Sequence, residues 1–149
     1  MFRRVLVALD REPASERILS WVRRLLGPPR AEVRLVAVIP IARAVVVDGR
    51  ALAYVDQRED AECRASDFRL AVLAGRLRED GLAASTETRV GDPVEAVLAA
   101  TRAWRADAIA LAAAAAGGWR WLARDVTDDI VRRSPVPVLV ARRSGQRLA

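Results

Sequence analysis

Short apolar runs alternate with helix-patterned segments along the whole chain, and this alternation constrains the fold more than any other feature. "RRVLVALD" (residues 3–10), "AEVRLVAVIP" (31–40), "ADAIALAA" (106–113) and "VPVLVAR" (136–142) are nearly continuous apolar runs. Strands buried on both faces of a parallel sheet read this way, because neither face meets water. A fifth run, "LAASTETRV" (82–90), alternates small and polar residues and reads as a strand with one wetter face at a sheet edge. Parallel neighbours need long crossovers, and the intervening segments carry helical patterns that supply them.

The first such segment is "REPASERILSWVRRLLGPP". Pro13 suits a first helical turn, Ile18, Leu19, Val22, Leu25 and Leu26 follow at helical spacing, and Gly27-Pro28-Pro29 makes the stop. A long helix fits Gln57 to Asp80, with Ala61, Ala65, Phe68 and Val72 on one stripe, widened by Leu70, Leu73 and Leu77. In "GDPVEAVLAATRAW" Asp92 is the expected cap, Pro93 takes the first position and Glu95 can reach back. "DVTDDIVRRS" is the last helix. Between Ile41 and Asp56 two readings stand: a hairpin turning at Asp48-Gly49, or a loop crossing the surface. The expected fold class is α/β, a single doubly wound domain over residues 1–143. It has a five-stranded parallel sheet, about four helices on both faces, and a frayed tail at 144–149.

Absences narrow the chemistry. The chain of 149 residues contains no histidine, which removes the commonest general base and the usual zinc ligand. Ser15 and Glu16 therefore have no histidine partner for a catalytic role, and Cys63, the single cysteine, is expected to be an inert small residue. Asp128-Asp129 are expected to complement a helix dipole, with no metal site. The start "MFRRVLVALD" has basic residues before an apolar stretch, but Asp10 and Arg11 interrupt it too early for a signal sequence. With no membrane-spanning run either, a cytoplasmic protein is expected. The net charge is +6 and every basic side chain is arginine. These arginines are spread along the sequence, so they read as solvated faces in preference to a nucleic-acid surface.

In doubly wound sheets the ligand crevice lies at the carboxyl ends of the strands, where strand order reverses. Asp10 ends the first strand. The fourth runs into "ALAAAAAGGWRWLARDVTDD" (110–129), a loop from strand to helix of the sort that elsewhere holds phosphate. Trp119 and Trp121, flanking Arg120, can stack on a flat ligand, or pack on the last helix or a dimer partner. Trp21 and Trp104 read as core or rim residues on helices.

The stretches "RRVLVALDREPASERILSWV", "RVGDPVEAVLAATRAWRADAIALAA" and "IVRRSPVPVLVAR" resemble the universal stress protein family in order and spacing, over nearly the whole chain apart from 41–82. The resemblance implies an adenine nucleotide alpha hydrolase-like sheet with strand order 3-2-1-4-5, and homodimers that often pair their last strands, here Val136 to Arg142. It also implies ATP binding in many members, though not in all. In binders an aspartate ends the first strand and a valine of the second touches adenine; Asp10 and Val38 match these. A phosphate loop follows, with the pattern Gly, two residues, Gly, nine residues, Gly-Ser or Gly-Thr. Counted back without gaps from "SPVPVLV", those glycines fall on Leu111, Ala114 and Arg124, and the hydroxyl residue falls on Asp125.

Glycine serves a phosphate loop by adopting positive φ and by letting backbone N–H groups close on oxygens. Leu111 and Ala114 add bulk there, and the Asp125 carboxylate repels phosphate. The expectation is a homodimeric, non-catalytic stress-response protein that takes no cofactor and does not bind ATP in the usual mode. The alternative is a regulator binding ATP or another nucleotide through Asp10, Val38, Gly117, Gly118, Arg120 and Arg124. A third reading is a basic domain that meets nucleic acid.

Overall fold

Among the described residues, five strands and four α-helices alternate in the order the sequence pattern dictates. In the computed structural model, which describes residues 2–11, 13–26, 31–40, 52–112 and 124–141, the elements are β1 (Arg4–Leu9), α1 (Ile18–Leu25), β2 (Glu32–Ile39), α2 (Leu52–Glu79), β3 (Ala83–Val90), α3 (Pro93–Trp104), β4 (Ala108–Ala112), α4 (Arg124–Arg133) and β5 (Val138–Ala141). They form one sheet in the order β3-β2-β1-β4-β5, every neighbouring pair parallel. This is the expected fold class and strand order. The tail at 144–149 and the Asp48-Gly49 turn lie outside the described residues.

Each central strand divides its side chains between two apolar layers. Val5, Val7 and Leu9 of β1 face α1 and α2, meeting Ile18, Val22, Leu70 and Leu77, all buried. Leu6 and Ala8 face the opposite way with Val36, Val38, Ile109 and Leu111, against Val97, Leu98 and Ile130 of α3 and α4. A strand packed on both sides needs apolar residues at every position, which is why β4 reads "AIALA" and is buried throughout. The edge strand β3 shows the wetter pattern its sequence announces, and its one strand neighbour is β2.

Three local expectations need correction. Pro13 opens a 3-10 turn (Pro13–Arg17), and α1 begins only at Ile18. The long helix starts at Leu52, five residues before the expected Gln57, so the second half of the proposed hairpin is helical. Of the two apolar stripes on α2, Leu70, Leu73, Ala74 and Leu77 enter the core, while Ala61, Ala65, Phe68 and Val72 face solvent. The two stripes lie on nearly opposite sides of a helix with 3.6 residues per turn, so only one of them can meet the sheet.

Asp92 caps α3 as its spacing predicts, its side chain accepting from the Glu95 N–H at 3.0 Å with Pro93 at the first position. Glu95 does not reach back to complete a capping box; its carboxylate instead takes Arg133 of α4 at 2.5 Å. At the other end of α3, Arg105 adopts the left-handed conformation (φ 55°, ψ 48°) while its N–H and that of Ala106 close on the carbonyls of the last turn. Just beyond, the Asp107 carboxylate accepts from the backbone N–H groups of Arg3 (2.8 Å) and Arg4 (3.2 Å), fastening β4 to the start of β1.

A side chain at a left-handed cap costs about 1 kcal/mol against glycine. Arg105→Gly is therefore expected to raise the unfolding free energy by about 0.5–1 kcal/mol in urea denaturation; a loss of stability would show that the Arg105 side chain contributes more than its backbone strain costs.

Candidate functional site

The crevice of this fold is set by β1 and β4, the pair at which strand order reverses and from which crossovers leave in opposite directions. Asp10 follows β1 directly and is 3% exposed. The last registered pair between β1 and β2 is Leu9 with Ala37, so Asp10 and Val38 stand next, side by side at the carboxyl ends. Val38 is 2% exposed and belongs to the apolar layer under α3. On its other side it pairs with Arg89 of β3, whose guanidinium is held by Glu87 at 2.5 Å.

Leu111 is opposite Ala8 in the register of β1 and β4. The gap-free count puts the first glycine of the phosphate loop there, but the residue lies inside the strand, fully buried. It shares an apolar layer with Ala8, Val38 and Val97. A glycine at that position leaves a hollow between the sheet and the next helix, and leucine fills it with four side-chain carbons.

Gly117, Gly118, Trp119, Arg120 and Trp121 lie outside the described residues, as does Ala114. Arg124 is the first residue of α4, followed by Asp125. Of the sequence-derived candidates, the structure thus brings Asp10 and Val38 together at one end of the sheet and sets α4 to begin at Arg124.

One residue at this end was not among the sequence candidates. Arg69 of α2 reaches back to the turn after β1, donating to the Asp10 carbonyl, to Glu16 Oε1 at 2.9 Å and to the Ser15 hydroxyl at 3.4 Å. Nearby, Arg11 pairs with Glu62 of the same helix, and Arg58 takes the other side of that carboxylate at 3.4 Å. Ser15 and Glu16, read as having no catalytic partner, thus serve to position this turn. Arg69 is adjacent to the core residue Leu70, so its place on the flank of the buried stripe was the only available hint.

The remaining candidates take structural places. Trp104 is half-buried with guanidinium groups over its ring, Arg34 at 5.0 Å and Arg4 at 5.8 Å, and Trp21 is 48% exposed on α1 with Arg24 at 5.5 Å. Asp129 pairs with Arg132 one turn along α4 at 2.5 Å. Burial pushes the Cys63 thiol up from its ordinary pKa, and the carboxylates of Glu59, Asp67, Asp60 and Glu62 push the same way, which keeps it protonated and weakly nucleophilic. Among the described residues no three of His, Cys, Asp and Glu gather to hold a metal ion, and no helix is long and apolar enough to cross a membrane.

Solved structures share this architecture. A hypothetical protein taken as a test case of structural genomics matches with TM-score 0.81 and 19% identity, over 98% of this chain and 99% of that one. The universal stress protein UspA from Lactobacillus plantarum matches with TM-score 0.77 and 17% identity, over 94% and 97%. A universal stress protein family protein from Arabidopsis thaliana, with AMP bound, matches with TM-score 0.68 and 15% identity, over 96% and 93%. At such identities these likenesses bear on the fold alone. No curated protein matches the sequence. The family model, in contrast, aligns with residues 1–142, almost the whole chain, and on that match the chain belongs to the universal stress protein family.

Proposed function

We propose that the protein is a cytoplasmic, homodimeric, non-catalytic regulator of the stress response that acts through protein contacts and does not bind ATP in the usual mode. The observation that carries this reading is Leu111, fully buried within β4 at the position where the gap-free count puts the first loop glycine of nucleotide-binding members. Its side chain belongs to the buried apolar layer that also holds Ala8, Val38 and Val97. By sequence, Asp125 also brings a carboxylate where the family pattern has a hydroxyl residue, and a carboxylate repels phosphate.

A second reading keeps a nucleotide as ligand. It is favoured by the buried Asp10 beside Val38 and by the AMP bound to the Arabidopsis thaliana protein of the same fold. In that reading Gly117, Gly118, Arg120 and Arg124 hold the phosphates in a modified geometry.

The dimer rests on β5. In the parallel ladder Ile109 donates to the Pro137 carbonyl, so alternate residues of β5 face β4. The N–H and C=O of Val138 and Val140 then point to the open edge, flanked by half-buried apolar side chains. An edge of this kind is suited to pair with the same strand of a second copy, an isologous contact.

Three outcomes are expected. Leu111→Ala should lower the unfolding free energy in urea by about 2–5 kcal/mol, as for a leucine packed on all sides; a loss below about 1 kcal/mol would mean that it borders an open crevice and would remove the main support for an unused site. In calorimetric titration, Mg-ATP, ADP and AMP should give no saturable heat up to millimolar concentration, and one-site binding per chain would replace the first reading with the second. Val140→Pro removes an N–H that points away from β4, so it should keep the fold and yield a monomer in light scattering; a dimer of unchanged mass would place the interface elsewhere.

A further inference from the structure

We propose that the amino-terminal end of the sheet, opposite the crevice, is a docking surface for single-stranded nucleic acid. The arginines are scattered in sequence, but a parallel sheet places every strand start and the end of each crossover helix at the same pole. Arg3 and Arg4 open β1. Arg23 and Arg24 lie in the last turn of α1, Arg76 and Arg78 in the last turn of α2, and Arg102 and Arg105 close α3.

Direct contacts tie these ends together. Arg23 of α1 pairs with Asp80 after α2 at 2.6 Å. Arg4 donates to the Trp104 carbonyl at 3.2 Å, and Asp107 joins the start of β4 to the backbone of Arg3 and Arg4. Among the described residues, the carboxylates at these strand starts and helix ends are Glu32, Glu79, Asp80 and Asp107, fewer than the arginines. Three of them are already engaged, Glu32 with Arg4 at 3.3 Å, Asp80 with Arg23, and Asp107 with the backbone of Arg3 and Arg4. Arg3, Arg24, Arg76, Arg102 and Arg105 are exposed and form no ion pair among the described residues. Helix dipoles account for part of this placement, but each carboxyl end offsets only about half a charge. Most of the cationic field is directed to solvent.

The aromatics favour a single strand over other polyanions. Phe2 is 40% exposed next to Arg3, and the half-exposed Trp21 lies under Arg24. Exposed rings interleaved with guanidinium groups offer unstacked bases a platform while the charges track the phosphates. A duplex hides its base faces and needs a groove-reading helix or ribbon.

The test is fluorescence anisotropy of a labelled oligothymidylate with the whole protein across about 50–200 mM salt. With four phosphates neutralised, log K should fall against log salt with a slope of about −3. Arg102→Ser with Arg105→Gly should weaken binding at least tenfold and flatten the slope by about 1.4. Arg58→Ser with Arg64→Ser, which removes the same charge from the distant half of α2, should leave affinity nearly unchanged. Urea midpoints of both double variants verify that they remain folded. Absence of binding at low salt would overturn the proposal, and so would equal losses in the two variants, which would mean diffuse charge. Binding of phosphatidylserine vesicles at the rim without binding of the oligonucleotide would overturn it in favour of a membrane surface.

Discussion

Parallel pairing around β1 is the constraint on which the rest of the molecule depends. A strand hydrogen-bonded to parallel neighbours on both sides can be reached again only by a crossover, and the crossovers must bury their apolar faces on the sheet. β1 lies between β2 and β4, so the chain covers one face with α1 and α2 on its way out and the other with α3 and α4 on its way back. The two ends of the sheet consequently differ in kind. One collects the loops that leave strands, with Asp10 and Val38; the other collects helix ends and their arginines.

At the carboxyl end, the proposed reading asks for little change in a shared fold. A family that holds nucleotides in a glycine-lined hollow needs that hollow to be empty, and a side chain rooted in the strand itself is the simplest way to fill it. In the proposed reading Leu111 does so without disturbing the register, since Ala8 opposite it is small and the helices above contribute Val97 and Ile130. The pinning of the first turn by Arg69 is compatible with the same outcome. It fixes the Asp10 backbone from the outside, through a helix that in sequence is far away.

The strands were legible because burial on both faces writes itself as an uninterrupted apolar run, and the α3 cap was legible because Asp92, Pro93 and Glu95 act locally. What could not be read were the choices made by tertiary contact. On α2 the sequence holds two apolar stripes, and only the position of β2 and β3 decides that Leu73 is inside and Phe68 outside. Glu95 has an equally good local partner in its own helix start, yet Arg133 of a neighbouring helix takes it. Leu111 was flagged as a departure from a family pattern, but only the register with Ala8 shows that it belongs to the strand and the core.

The fastening of Asp107 to Arg3 and Arg4 joins residues more than a hundred positions apart. The central strand is made about a hundred residues before its second neighbour, β4. Until then one flank of an uninterrupted apolar strand has no partner. High separation between contacting residues slows folding, and exposed strand flanks invite pairing with the wrong chain. In the cell, this protein is therefore most vulnerable during its own synthesis, before β4 arrives to close the middle of the sheet.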